Sequence, residues 1–131
     1  MFRERWWPAS GHGHPMNTAV QLDDVLTEKW FHAIRFDEER STNGRFPASR
    51  PANYTLFGAL EYLRHIDVRG MDCVDLGTMD GLIAFTLASM QAGSVVATDM
   101  ARRKTFEAGR AYLGHDIDYR HPVSIERGKM R

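Results

Sequence analysis

The sequence predicts an α/β fold, a doubly wound parallel sheet preceded by an N-terminal helical and extended segment. Three consecutive features support this prediction: a strand that runs into a glycine turn at residues 74–81, a helical stretch that starts at Leu82, and a second strand at residues 94–99 that ends in an acid. A strand, a glycine turn, a helix and an acid-ended strand in this order form the nucleotide-binding half of such a sheet.

Each part of this unit has a physical reason. Gly77 and Gly81 give the turn access to positive φ and let the backbone come close to a ligand. The following helix presents unpaired N–H groups at its first turn. Asp99 ends the second strand, where a carboxylate can accept hydrogen bonds from both hydroxyls of a ribose. The sequence therefore predicts a ligand site at the ends of these two strands.

The glycine spacing indicates which ligand to expect. The dinucleotide fingerprint G-x-G-x-x-G is absent, which counts against a nicotinamide-binding fold. The turn resembles instead motif I of class I S-adenosylmethionine (SAM) methyltransferases, an acid-x-Gly-x-Gly-x-Gly loop, and this resemblance implies a Rossmann-like sheet. Asp75, Gly77 and Gly81 match the motif, and Asp99 matches the acid after the second strand. The middle glycine of the motif is replaced by Met79.

The resemblance covers roughly residues 30–123. Upstream of the turn, residues 30–34 and 43–46 resemble, less specifically, a subgroup related to the tRNA wobble-uridine methyl and carboxymethyl transferases. In such enzymes an N-terminal segment covers the cofactor. We therefore expect a lid segment here, in which Arg45 and Arg50 are either ligands of an anionic group or solvated loop residues.

The resemblance implies SAM as the cofactor and assigns roles to the turn. Asp75 would orient the turn or the cofactor's ammonium, and Asp99 would bind the ribose. Ordinary structural roles stay open, Asp75 as a turn acid and Asp99 as the N-cap of the next helix. Met79 would either crowd the cofactor or pack against the helix after the turn. The candidate cofactor-binding residues are Asp75, Gly77, Thr78, Met79, Asp80, Gly81, Asp99 and Met100.

No catalytic residue is assigned, because methyl transfer from a sulfonium depends mainly on positioning. A general base is needed only if the acceptor must lose a proton. Residue type alone leaves four histidines as candidates, of which the first lies in the lid segment: His32, His65, His115 and His121. No metal site is expected, since His12 and His14 have no further ligands nearby.

The chain divides into a flexible arm at residues 1–16, a helix and lid segment at 17–51, and a partial SAM-binding domain at 52–131. Hydrophobic periodicity and turn residues predict the elements. These are helices at 17–29, 53–65, 82–91 and 102–113, an alternating extended segment at 30–36, and strands at 71–76, 95–98 and 117–119, with a continuation at 123–125 left open.

This count gives three strands of a fold that normally has seven, so the predicted sheet stops after its third strand. The first strand would keep one open apolar edge, and such edges recruit other chains. We expect either a homo-oligomer or a partner chain that completes the sheet. A fragment of a longer enzyme and a reduced, non-catalytic relative are the alternatives.

Composition sets the remaining bounds. The 131 residues suffice for one domain, and 17 basic against 17 acidic side chains give no net charge that favours nucleic acid. The basic stretch after residue 101 reads as a solvated surface more than as a phosphate site. Cys73 is the single cysteine, so no intrachain disulfide can form. We expect no secretory signal and no membrane span, and a cytoplasmic location.

Two classes of function remain. The first is SAM-dependent methyl transfer, in which neutral charge favours a small-molecule acceptor and the lid resemblance favours an RNA base. The second is a non-catalytic Rossmann-like module that acts through association at its open sheet edge.

Overall fold

The computed structural model of the protein describes residues 21–37, 39–42, 44 and 54–124. This part of the chain has an α/β fold with a parallel sheet, as the sequence predicts. The elements in chain order are α1 (Leu22–Thr27), α2 (Tyr54–Leu63), β1 (Asp72–Leu76), α3 (Leu82–Ser89), β2 (Ser94–Thr98), α4 (Lys104–Leu113) and β3 (Asp118–Arg120).

The predicted elements of the sheet region are present, with bounds that shift by at most two residues. Helix α3 ends before Gln91, and α4 begins two residues later than the predicted start at Arg102. The continuation of the third strand at 123–125, which the sequence left undecided, does not form at Val123. The predicted arm at 1–16, both of its histidines, Arg45, Arg50 and the end of the basic stretch lie outside the described residues.

The three strands lie in the order β1-β2-β3, and both neighbouring pairs are parallel. Within the described part of the chain, β1 therefore forms one edge of the sheet. Cys73 pairs with Val95, and Val74 with Val96. Because side chains alternate along a strand, these two pairs lie on opposite faces.

Only one face of this sheet is covered by the described helices. Val95 and Ala97 of β2 are buried in the core with Ala84 and Phe85 of α3 and Phe106 of α4. On the other face, Val74 keeps 59% of its surface exposed and Leu76 keeps 48%. Both exposed fractions are high for apolar side chains in a strand, and exposed apolar surface of this kind is typical of association sites.

The extended segment at residues 30–36, part of the predicted lid and called the lid segment from here on, alternates as predicted. Trp30, His32, Ile34 and Phe36 are all buried, and the intervening Arg35 is exposed. The Trp30 indole donates to the Val25 carbonyl at 2.8 Å, which ties the segment to α1. Phe36 makes edge-on ring contacts with Trp30 and, at 5.6 Å, with Tyr112 of α4.

A narrow turn brings the chain back beside the lid segment. Arg35 and Ser41 form an antiparallel bridge, and the Thr42 hydroxyl accepts from the Ile34 amide and donates to the His32 carbonyl, both at 2.7 Å. Gly44 then lies directly on the lid backbone. A Cβ atom there would come within 2.2 Å of the His32 carbonyl carbon. Glycine is required at this position because any side chain would displace the segment.

Among the described residues, no helix has the length and apolar character needed to cross a membrane.

The contact at Gly44 yields a stability prediction with a matched control. Gly44→Ala should lower the free energy of unfolding by about 1–3 kcal/mol, because the added methyl overpacks against backbone. Gly58→Ala, in α2 where a Cβ would meet nothing within 4 Å, should raise it by up to about 1 kcal/mol through helix propensity. Urea unfolding of both variants measures the difference. Equal stabilities would contradict the close approach at Gly44.

Candidate functional site

The predicted site residues converge at the carboxyl ends of β1 and β2. The turn at residues 77–81 follows β1, and Asp99 follows β2. Two hydrogen bonds join these segments: the Thr78 amide donates to the Thr98 carbonyl at 2.8 Å, and the Met79 amide donates to Asp99 Oδ2 at 3.0 Å. The glycine turn and the acid therefore form one unit, as the sequence predicts.

Three residues of the turn have left-handed backbone: Gly77 at φ +73°, Met79 at +52° and Gly81 at +96°. For the two glycines this conformation carries no steric penalty. For Met79 it costs about 1–2 kcal/mol, because its Cβ crowds the carbonyl oxygen. Met79 thus adopts a conformation that glycine would adopt without this cost. Its sulfur lies 3.6 Å from Arg103 Nη2, so the side chain contacts the loop before α4.

The two glycines of the turn serve different purposes. A Cβ on Gly81 would lie 2.7 Å from Phe85 Cζ and 2.8 Å from Phe106, so this glycine is needed for packing. A Cβ on Gly77 would meet nothing within 4 Å. Gly77 therefore leaves space above the end of β1, which a ligand can enter to contact the backbone.

Asp75 lies on the covered face of β1, below the turn. Its Oδ2 atom is buried and has no hydrogen-bond partner within the described residues. Burial raises the pKa of Asp75, and the charge of Asp99 adds to this, whereas the Thr78 side chain and the Ala84 amide act in the opposite direction. The buried oxygen is thus an acceptor that a cationic or donating group can satisfy.

Asp99 is 6% exposed, and both of its carboxylate oxygens accept from backbone. Oδ2 accepts from Met79, and Oδ1 accepts from the amides of Met100 at 2.7 Å and Ala101 at 3.4 Å. The N-cap of α4 is Arg103, so the alternative role of Asp99 as that cap is wrong. Asp99 fixes the two loops of the site relative to each other. The next residue, Met100, is 70% exposed beside it.

Asp80 has a role that the sequence did not reveal. Its side chain is buried, and Oδ2 accepts from the amides of Phe31 and, at 2.7 Å, His32. Oδ1 accepts from the Thr105 hydroxyl of α4 at 2.6 Å. Asp80 thus connects the turn to the lid segment and to α4. No local pattern predicts bonds between residues 48 and 49 positions apart in the chain.

His32 is the histidine nearest to this connection. Its Nδ1 atom lies 3.8 Å from Asp80 Oδ2 and makes no hydrogen bond with the described residues. Burial lowers the pKa of His32, and the charge of Asp80 offsets part of this effect. The imidazole is therefore neutral at pH 7.

The other three histidines lie against separate parts of the fold. His65 is exposed near Glu61, at 3.9 Å. His115 packs against the Phe85 ring, and burial lowers the pKa of His115. His121 lies beside the Tyr119 ring. Of these three, His65 is the one with a carboxylate within 4 Å among the described residues, and both side chains of that pair are exposed. The described residues contain no group of three or more metal-ligating side chains.

An open cleft of about 880 Å³ borders Asp80 between the lid segment and α4. Its walls are residues 27–31 on one side and 102–105 on the other. Four basic side chains and two acidic ones line it: Lys29, Arg102, Arg103, Lys104, Glu28 and Asp80. Arg102 is paired with Glu107 at 2.7 Å. Arg103 Nε lies 3.7 Å from Asp99 Oδ2. With both arginines paired to acids outside the lining, the cleft keeps as many basic as acidic side chains.

No protein-family model matches this sequence, and no curated protein shows significant similarity to it.

The buried state of His32 gives a pH prediction. A histidine whose pKa is lower in the folded state than its ordinary value of 6.5 binds fewer protons than in the unfolded chain. The free energy of unfolding should therefore fall as the pH drops below 6.5, by up to about 1.4 kcal/mol per pH unit for one proton. His32→Gln should reduce this slope in urea unfolding between pH 7.5 and pH 5. His65→Gln, at an exposed site, should leave it unchanged, and equal slopes for both variants would refute the prediction.

Proposed function

We propose that this chain is the cofactor-binding part of a SAM-dependent methyltransferase with a Rossmann-like sheet. The observation that carries the proposal is the backbone of the turn after β1. Gly77, Met79 and Gly81 are left-handed at the three positions where the resembling motif has glycine. Because Met79 adopts this conformation against its own preference, the surrounding structure determines the shape of the turn.

The residues of the site suit SAM in their chemistry. The open side of Gly77 allows a ligand to approach the backbone. The partnerless oxygen of Asp75 can accept from a cofactor ammonium. A cation there would also favour the charged carboxylate, which burial alone disfavours. The bound cofactor supplies a methyl group on a sulfonium, which is already activated for transfer.

In this proposal Asp99 has two simultaneous roles. Its backbone contacts hold the turn and the loop after β2 together, and Oδ2, which accepts from one amide, retains lone-pair capacity for a ribose hydroxyl. Met100, exposed beside it, provides an apolar surface for the adenine ring. Thr78 and Asp80 also hold the turn in place, since the Thr78 amide bonds to β2 and the Asp80 carboxylate bonds to the lid segment.

The chain's own contribution to the reaction is positioning. Holding the acceptor in line with the methyl group supplies rate through proximity and orientation. The scheme requires a general base only if the acceptor must lose a proton, and His32, whose imidazole lies beside Asp80, is then the candidate. The acceptor in this proposal is a small molecule or an RNA base.

Calorimetric titration with SAM and S-adenosylhomocysteine tests the proposal. The folded chain should bind SAM with micromolar affinity, and saturating SAM should raise its melting temperature. Asp99→Ala should weaken binding by at least roughly tenfold, since it removes the contacts that hold the two loops. Asp118→Ala, an exposed acid paired with Arg120 in the same sheet, serves as the control and should bind normally. A folded wild-type chain that binds neither compound would exclude this function.

A second function, association through the sheet, is favoured by the exposed apolar surface of β1. Val74 and Leu76 lie on the uncovered face, and Met71 just before the strand is 52% exposed. Within the described residues β1 also pairs on one side only. Such a strand provides both backbone groups and apolar side chains to a second chain.

Light scattering coupled to size exclusion tests this second function. The wild-type chain should elute larger than a monomer, and Val74→Lys should shift it toward the monomer by placing a charge on the uncovered face. Tyr62→Lys, at a residue of α2 that is 73% exposed, should leave the elution unchanged. A compact wild-type monomer with a cooperative melt would reject association.

A further inference from the structure

We propose that Asp80 is a positioning residue that latches the lid segment, residues 30–36, to the cofactor turn. The latch makes closure of the lid and binding at the turn energetically coupled. The coupling rests on the proposed SAM function, whereas the latch itself is a property of the ligand-free fold.

The geometry of Asp80 singles it out within the turn. It stands between Met79, whose amide is bound by Asp99, and Gly81, the N-cap of α3. The residue before a helix commonly caps it with its side chain, but Gly81 has none. The neighbouring Asp80 carboxylate bonds to the lid segment and α4 and does not cap α3. Its carboxylate holds two consecutive lid amides, Phe31 and His32.

The third donor fixes the carboxylate itself. Thr105 lies in the first turn of α4 and donates its hydroxyl to Asp80 Oδ1. Asp80 is 3% exposed, and no lysine or arginine forms an ion pair with it among the described residues. Its charge is therefore stabilised by these three hydrogen bonds, and a buried carboxylate that loses them is strongly disfavoured. The lid amides of Phe31 and His32 are thus two of the three donors that stabilise the buried Asp80 carboxylate.

The coupling follows from the position of Asp80, the hydrogen-bond acceptor of the lid amides, within the turn that would bind the cofactor. A cofactor that contacts Gly77 and Asp99 restrains the part of the turn directly before Asp80, because Asp99 binds the Met79 amide. A restrained turn holds the Asp80 carboxylate in the position where it accepts hydrogen bonds from the lid amides. By linkage, lid closure must then favour cofactor binding to the same extent that cofactor binding favours closure.

The lid does not depend on the latch alone for its folding. Trp30, Ile34 and Phe36 are buried in the core, and Trp30 is also bonded to α1. Loss of the latch should therefore loosen the lid locally without unfolding the sheet.

Hydrogen exchange with and without SAM tests the latch. In Asp80→Ala the amides of Phe31 and His32 should exchange at least roughly tenfold faster than in the wild type, because they lose a charged acceptor. The amides of β1 and β2 should keep their protection. Asp80→Asn should restore part of the lid protection, since its Oδ1 can accept from both amides while its Nδ2 donates to the Thr105 hydroxyl.

A second pair of variants keeps the test valid if Asp80→Ala does not fold. Thr105→Val removes only the third donor and should also speed exchange at the lid amides. Thr86→Val is the matched control, because it removes a helix hydroxyl that bonds only to the Leu82 carbonyl. Equal lid exchange in these two variants would overturn the latch.

The cofactor experiment separates the latch from the proposed function. SAM should slow exchange at Phe31 and His32 in the wild type, and Asp80→Ala should weaken SAM binding by roughly tenfold or more. SAM binding without any change at the lid amides would overturn the coupling. A wild-type chain that does not bind SAM would reject the function, and exchange in the ligand-free variants would still decide the latch.

Discussion

The turn between β1 and α3 rests directly on the aromatic core, and the contact is made at Gly81. The Phe85 and Phe106 rings stack at 5.2 Å, and Phe106 stacks on Tyr119 at 4.0 Å. This column joins α3, α4 and β3 below the glycine. Since no other residue fits between the turn and these rings, the shape of the candidate site is set by the packing beneath it.

Three acids of the site, Asp75, Asp80 and Asp99, have the same side chain but different hydrogen-bond environments and therefore different roles. Asp80 and Asp99 are almost fully buried, yet backbone amides meet their oxygens, so their charge contributes to the order of the loops. Asp75 has an oxygen without a hydrogen-bond partner among the described residues, and burial raises its pKa. The first two acids organise the site, and the third has binding capacity left for a ligand.

Much of the fold was predictable because it follows from local patterns. The alternation from Trp30 to Phe36 appears as buried and exposed residues, and the glycine turn lies between the predicted strand and helix. The contacts of Asp80 and Asp99 were not predictable, because they depend on which distant amides the fold brings near each carboxylate. The N-cap role considered for Asp99 failed for a local reason: α4 starts at Lys104, one turn later than an Asp99 cap requires. The cofactor and the reaction remain proposals.

The uncovered face of the sheet also bears on the handling of this chain in a cell. Val74 and Leu76 present two apolar side chains to solvent on one face of β1, and exposed apolar strand surface can recruit other chains. Under the proposed association, the chain persists at high concentration only while a partner covers this face. The abundance of the protein should therefore follow the supply of whatever covers β1, and excess copies should be degraded first.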